Sequence, residues 1–238
     1  MVIENFAEVI SLLIAICAGI AAIAGIIMLS AFFQNKLKNL FDDVNYFIFF
    51  FLVSGYFLYS LGEVAFYLGT WIFGSEARIS ISDVYWTGGI ILLIISFLTL
   101  AITLLRRNPD PRKLMALILV GGGLLLLVSL LIFSSSAPPN TSFFIYFYPL
   151  SDAIIIGLAL SAILFPRQLG AFHTPLLFFF IASSIFLIAD TMYSFDAIKG
   201  TLLFNTLGQY FYLFAYALSA IAFITMRFQT HTLSLNRN

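Results

Sequence analysis

Three acidic residues stand inside long apolar segments of the sequence: Glu63, Asp152 and Asp190. A charged side chain in the hydrocarbon of a membrane costs at least ~2.5–3.5 kcal/mol, so an acid placed there usually has a functional reason. These segments contain no internal Lys or Arg that could neutralise the carboxylates. The three groups must therefore be protonated, hydrogen-bonded, hydrated or paired with something outside the sequence.

Polar and aromatic side chains accompany the acids at helical spacing. Residues three, four and seven apart share one face of a helix, and a polar face needs protein or water because lipid offers it no hydrogen bond. Three such faces occur: Tyr56-Ser60-Glu63-Tyr67, Ser183-Asp190-Tyr193-Ser194 and Asn205-Gln209-Tyr212-Tyr216-Ser219.

We predict from these faces an outward-facing, acidic, aromatic-lined pocket that binds a small ligand or cation. Its predicted ligand-binding residues are Glu63, Asp152, Asp190, Tyr67, Tyr148, Tyr193, Gln209 and Asn205. The alternative is that they only join helices through hydrogen bonds of ~0.6 kcal/mol each. Aromatic residues near span ends, such as Trp71, Trp86 and Tyr85, are typical of the belt at a membrane surface.

The sequence lacks the residues that other chemistries require. Metal hydrolysis needs several His ligands, and the chain has only His173 and His231, while Cys17 stands alone. We find no nucleophile motif and no glycine-rich nucleotide motif. An enzyme is therefore not the favoured interpretation, and we predict no catalytic residue, metal or cofactor. The net charge is zero, which gives no basic surface for nucleic acid.

The elements that must position the acids are membrane-spanning helices. Of the residues, 62% are apolar and 9% are charged, whereas soluble domains have about a quarter charged. A helix of ~20 apolar residues crosses ~30 Å of hydrocarbon. Seven such blocks occur, and they predict an all-α integral membrane protein with one domain over residues 1–238: 6–33, 44–73, 83–105, 113–133, 143–165, 173–195 and 202–226.

The basic residues predict the orientation of these spans. Nine of the eleven Lys and Arg residues fall on one side, and only Arg78 and Lys199 fall on the other. Because short basic loops stay in the cytoplasm, the amino terminus is predicted outside and the carboxyl terminus inside. The leader carries Glu4 and Glu8 and no basic residue, unlike a cleaved signal. The predicted location is the cytoplasmic membrane of a prokaryote.

The acids also suggest an internal repeat. Glu63 in span two and Asp190 in span six hold matching positions, each followed by aromatic residues. Spans one to three and five to seven would then be parallel three-helix units, joined by span four as a connector. Parallel repeats of this kind occur in transporters.

The chain resembles the seven-helix membrane sensor region that precedes diguanylate cyclase, phosphodiesterase or histidine kinase modules in many prokaryotic signalling proteins. The matching stretches are Leu61-Gly62-Glu63, Tyr148-Pro149-Leu150-Ser151-Asp152, Ile188-Ala189-Asp190-Thr191-Met192-Tyr193 and Leu207-Gly208-Gln209-Tyr210. The resemblance implies a sensing bundle with Asp152, Asp190 and Tyr193 in its core. The chain departs from the family by lacking an output module, so a signal would leave through a cytoplasmic or membrane partner.

Two functions follow as hypotheses. In the first, the protein is a receptor whose occupied pocket shifts helices against a signalling partner. In the second, it is a proton- or cation-coupled transporter of small molecules, and the acids are its coupling groups. A polar path from the inner side would favour transport, and Ser96, Thr99 and Thr103 in span three are the only hint of one.

Overall fold

The computed structural model describes residues 2–33, 40–74, 80–133, 142–200 and 205–235 of the chain. The described residues are helical, with no strand, and seven helices are long and apolar enough to cross a membrane. This confirms the predicted fold class. The helices are α1 (Val2–Phe33), α2 (Val44–Tyr67), α3 (Ile81–Arg107), α4 (Pro111–Phe133), α5 (Phe144–Ala159), α6 (His173–Lys199) and α7 (Asn205–Leu235).

Helix α1 shows how these apolar sequences divide their faces. Small residues such as Ala18 and Ala21 are fully buried, whereas Ile16, Ile20 and Ile23 are exposed. Small residues let neighbouring helices approach closely, and branched apolar side chains are at home in lipid. Both faces are therefore apolar, and size rather than polarity decides which one packs inward.

Helix ends follow local chemistry that hydropathy does not detect. Asp43 caps α2 by accepting hydrogen bonds from the backbone N–H groups of Asn45, at 3.0 Å, and Tyr46, at 3.2 Å. Gly200, with a left-handed φ of 66°, ends α6, which runs four residues beyond the predicted end of its span at Phe195. The predicted fifth span divides instead into α5 and a short turn, Ser161–Leu164, ahead of Pro166.

The helices pack as a closed ring with one outlier. Helix α2 packs between α1 and α3, α6 packs between α5 and α7, and the ring closes through contacts of α1 with α7 and of α3 with α5. Helix α4 packs mainly on α5 and exposes most of its Leu and Ile side chains. Its peripheral place suits a connector, while the three-helix repeat and the orientation stay predictions.

The contact between α4 and α5 depends on two glycines. A Cβ atom added to Gly157 would lie 2.8 Å from the Cα atom of Gly121, so neither position has room for a side chain without a shift. Gly122 and Gly123 have no neighbouring atom within 4 Å of an added Cβ. Only the first glycine of this run therefore serves close packing.

The bundle has two unlike halves. We call the half that contains the first turns of α1, α3, α5 and α7 the polar half, and the opposite one the apolar half. The apolar half is filled by aromatic and aliphatic side chains, among them Phe179, Phe223 and Met226, which are all 0% exposed. The rings of Phe179 and Phe223 meet edge to face with centroids 4.7 Å apart. In the polar half, the described side chains instead surround a cavity, which is the candidate site.

Candidate ligand-binding cavity

The polar half contains a cavity of about 500 Å³. Six helices contribute described side chains to its wall, α1, α2, α3, α5, α6 and α7, whereas the described residues of α4 contribute none. Cavities of ~300–1,000 Å³ hold small molecules in many proteins. The ring of helices therefore encloses a space of suitable size, and the connector helix lies outside it.

Six of the eight predicted ligand-binding residues line this cavity: Glu63, Asp152, Asp190, Tyr148, Tyr193 and Gln209. Tyr67 lies on α2 one turn beyond Glu63 and is half-buried, but it is not part of the wall. The side chain of Asn205 lies outside the described residues. The structure thus brings most of the predicted residues together, while their role in binding stays a prediction.

Each of three acids in the wall accepts a hydrogen bond from a tyrosine of another helix. The Tyr216 hydroxyl donates to Glu63 Oε1 at 2.8 Å, and the Tyr148 hydroxyl donates to Asp83 Oδ1 at 2.7 Å. Tyr212 donates to Asp190 Oδ1. A hydroxyl that donates to a carboxylate partly replaces the water that burial removes. These pairs join α2 to α7, α3 to α5, and α6 to α7 around the cavity.

Asp83 also has a structural role at the start of α3. Its Oδ2 atom accepts hydrogen bonds from the backbone N–H and the hydroxyl of Ser80, both at 2.8 Å. Ser80 in turn caps the helix by accepting from the Asp83 backbone N–H at 3.3 Å. This reciprocal arrangement is a capping box. With the Tyr148 bond, both carboxylate oxygens of Asp83 have partners.

Asp152 differs from the other acids of the cavity wall. It is only 3% exposed, and its Oδ2 atom has no hydrogen-bond partner among the described residues. Among the described residues, no tyrosine donates a hydrogen bond to Asp152, whereas each of the other three acids has such a donor. Its carboxyl group lies within hydrogen-bonding reach of Asp190, which is another acid. Asp152 is therefore the acid whose ionised form has the least internal compensation.

A proline helps to place Asp152 opposite Asp190. Pro149 lies inside α5 and has no N–H, so the carbonyl of Ile145, one turn earlier, loses its helical partner. The Ser194 hydroxyl of α6 donates to that carbonyl at 2.6 Å. This bond joins α5 to α6 about two turns before Asp152 and one turn beyond Asp190. The sequence Tyr148-Pro149-Leu150-Ser151-Asp152 thus contains both the acid and the proline that frees a backbone carbonyl for the bond to α6.

Aromatic rings form much of the remaining wall. The ring of Phe186 meets that of Tyr216 edge to face at 4.9 Å, and the Trp86 indole meets Tyr148 at 6.1 Å and an angle of 89°. Trp86 has room because Gly62 faces it, since a Cβ atom there would lie 2.5 Å from the indole. Trp86, which the sequence assigned to the belt at the membrane surface, therefore packs into the cavity wall beside Glu63.

Several wall residues were not among those predicted to bind ligand. Tyr212 and Tyr216 belong to the polar face of α7 that the sequence had identified, so their spacing with Gln209 was a usable signal. Asp83 and Trp86 looked like residues at the end of a span. Phe186 has an ordinary apolar sequence environment, and only the packing of the helices shows that it borders the cavity.

The chemistry of the wall favours a positively charged occupant. Four carboxyl groups line the cavity, those of Glu63, Asp83, Asp152 and Asp190, and its described wall contains no Lys, Arg or His. Two acceptor atoms buried there, Asp152 Oδ2 and Gln209 Oε1, have no donor among the described groups. An occupant with a positive charge and N–H groups would satisfy both atoms.

The described side chains bring no three His, Cys, Asp or Glu residues into an arrangement that could hold a metal ion. Comparison of the chain with protein-family models, with curated proteins and with solved structures finds no match. The resemblance to prokaryotic membrane sensor regions therefore rests on the quoted motifs alone and stays a prediction.

Proposed function

We propose that this membrane protein is a receptor that binds a small organic ammonium ion in the cavity of its polar half. The observation that carries the proposal is Asp152, a carboxyl group 3% exposed with one oxygen that has no donor in the described part of the chain. A buried carboxylate is strongly destabilising unless a charge or a set of hydrogen bonds compensates it. A bound ammonium group would supply both at once.

The three tyrosine-bound acids have a different role in this proposal. Their hydroxyl partners hold Glu63 and Asp190 in fixed positions in the wall that they share with Asp152, and Asp83 completes the cap of α3. They add negative potential without needing a ligand to satisfy them. Asp152 is the direct anchor of the ammonium group, and Glu63 and Asp190 set the potential around it.

The aromatic wall supplies the second half of the recognition. A cation over an aromatic face gains ~0.5–2 kcal/mol, with the larger value in a site from which water is excluded. The rings of Tyr59, Phe186 and Tyr216 pack together, with centroids 4.9–6.4 Å apart, and all three line the cavity. An amine with an apolar or aromatic tail would use this wall and the acids together.

The apolar half favours a receptor over a transporter. The Ser96 hydroxyl donates to the carbonyl of Ile48 at 2.8 Å, and Thr99 donates to the carbonyl of Ile95 in its own helix at 2.7 Å. These hydroxyls, two of the three that hinted at an inner path, are therefore engaged by backbone. The surrounding core is filled by Phe97, which is 1% exposed, and by its aliphatic neighbours.

Signal output and orientation complete the proposal. The amino terminus would lie outside, so that the cavity opens toward the exterior of a prokaryotic cytoplasmic membrane, and helix shifts would reach a cytoplasmic or membrane partner. The bias of basic residues and the resemblance to sensor regions support this. A reporter fused to the carboxyl terminus tests the orientation: alkaline phosphatase, active only outside, should be silent there, and an active fusion would reverse the assignment.

The binding proposal is tested on the purified protein in detergent. Thermal unfolding is followed with 2-phenylethylammonium and butylammonium, against the uncharged alcohols of the same shape. The amines should raise the melting temperature and the alcohols should not. Asp152→Asn should weaken amine binding by about 10- to 100-fold, as expected for a lost charge-assisted hydrogen bond.

The matched control is Asp83→Asn, which removes the same charge from the same wall at an acid whose oxygens already have partners. It should change amine affinity less than threefold. If the amines and alcohols act alike, or if both variants lose affinity equally, Asp152 is not the anchor.

A second experiment separates the two hypotheses for function. The protein is reconstituted in liposomes with a pH gradient, and proton movement is followed after amine is added. A receptor should bind without accelerating proton or amine flux. Amine-dependent proton flux that disappears in Asp152→Asn would establish the transporter instead.

A further inference from the structure

A second cavity, of about 290 Å³, lies at the opposite end of the bundle from the ligand cavity. It opens between the start of α4 and the segment that links α5 to α6. Its wall contains two basic side chains, Lys113 and Arg167, and two amide side chains, Asn108 and Gln168. No acidic side chain is part of this described wall.

The two cations have no acidic neighbour in the described wall of the cavity. The Lys113 ammonium group lies 4.4 Å from the centroid of the Phe165 ring, and that ring is 1% exposed, so it forms the floor of the cavity. The nearest acid in sequence, Asp110, uses its Oδ1 atom to cap the backbone N–H of Arg112 at 3.0 Å. Lys113 thus rests on an aromatic face, and an anion can approach it from the cavity.

The arrangement has the donor chemistry of a phosphate site. A Lys ammonium is a compact charge with three donors, and an Arg guanidinium can bind two phosphate oxygens side by side. The NH2 groups of Asn108 and Gln168 can add neutral donors, and the buried Oε1 atom of Gln168 has no partner among the described residues. We propose that this cavity binds a phosphate group, and specifically the headgroup of an anionic phospholipid.

Its position favours a lipid as the source of the phosphate. The cavity lies where α5 and its short continuation, Ser161–Leu164, end and where α4 begins, which is the headgroup level of a helix that crosses the membrane. Leu164 and Phe165 give the cavity an apolar side next to its basic one. A headgroup with its glycerol and first acyl carbons has the same two-sided character.

A lipid here would act where the bundle is held least firmly. Helix α4 is largely exposed and packs mainly on α5. A phosphate held by Lys113 of α4 and Arg167 of the linker would join the connector helix to the ring. This role is independent of what occupies the cavity in the polar half.

The test uses the purified protein in a detergent with no net charge. Thermal unfolding is measured with added phosphatidylglycerol, with phosphatidylcholine and with inorganic phosphate. Phosphatidylglycerol should raise the melting temperature, and the other two should give less than a fifth of that shift. The double substitution Lys113→Gln with Arg167→Gln should reduce the shift by more than half.

The matched control is Arg106→Gln with Arg107→Gln. It removes the same charge at the same end of the bundle, from residues that are exposed and do not line the cavity, and it should retain the full shift. Equal losses in both double variants would mean diffuse attraction to the basic surface and would overturn the site. An equal shift with inorganic phosphate would overturn the assignment to lipid. Native mass spectrometry of lipid adducts gives the same comparison if a variant melts early.

Discussion

The two halves of the bundle are built from the same seven helices and have opposite interiors. In the apolar half, Phe179 of α6 and Phe223 of α7 are 0% exposed and pack ring against ring. In the polar half, the same two helices present Asp190 and Tyr212 to each other and to a cavity. Helices that are apolar along most of their length can therefore hold a charged site at one end and a packed aromatic core nearer the other.

Tyr216 shows how one helix passes from the apolar half to the polar half. It is 2% exposed, its ring packs on Phe186 at 4.9 Å, and its hydroxyl donates to Glu63 at 2.8 Å. The ring belongs to the aromatic packing and the hydroxyl to the polar site. Tyrosine is suited to such a boundary because one end is apolar and the other forms hydrogen bonds. The comparison suggests that the apolar half provides stability and the polar half provides binding.

The largest effect should come from emptying the apolar half. Phe179→Ala removes a 0% exposed ring and should lower the free energy of unfolding by about 3 kcal/mol. Phe186→Ala removes a ring that already borders the cavity, so less packing is lost and about half that cost is expected. Denaturant titration in detergent measures both. Equal costs would show that the two halves contribute alike to stability.

The next largest effect on stability should have opposite signs at two acids of the same cavity. Without ligand, Asp152→Asn should raise the free energy of unfolding by about 1–2 kcal/mol, because a buried carboxyl group that lacks a donor is replaced by a neutral amide. Asp83→Asn should lower it by about 1 kcal/mol, because the cap of α3 is weakened. The same titration measures both variants. A loss of stability in both would mean that Asp152 is already compensated inside the bundle.

The sequence predicted the fold well because the membrane is the solvent of this protein, and the membrane determines the fold class. Seven apolar blocks had to become spanning helices, and the depth of Glu63, Asp152 and Asp190 could be counted along those spans. The partners of the acids were less accessible. Each acid–tyrosine pair joins different helices, and only their spatial order shows that Tyr216 faces Glu63 and Tyr148 faces Asp83. That the Oδ2 atom of Asp152 has no partner among the described residues is likewise a property of packing.

A smaller effect should follow from removing the hydrogen bond between Ser194 of α6 and the Ile145 carbonyl of α5. Ser194→Ala leaves the Ile145 carbonyl without its donor at 2.6 Å and should cost about 1 kcal/mol. It should also weaken amine binding several-fold, because α5 and α6 are less firmly held at Asp152 and Asp190. Pro149→Ala restores a helical N–H for that carbonyl and should recover stability in the double variant. A double variant as unstable as the sum of two losses would show that Pro149 and Ser194 act separately.

The smallest effect should come from removing a hydroxyl in the apolar half. The absence of an effect there would test whether that half takes part in function. Thr99→Val removes a hydroxyl that donates only to the Ile95 carbonyl of its own helix, which retains its helical partner. Stability should change by less than about 0.5 kcal/mol, and amine affinity should not change. Because Val has the shape of Thr, a polar path through α3 would be interrupted without any change in packing. If Thr99→Val behaves like the unsubstituted protein in the liposome assay, the functional site lies in the polar half alone. If the variant loses an amine-dependent flux, part of that site lies in the apolar half.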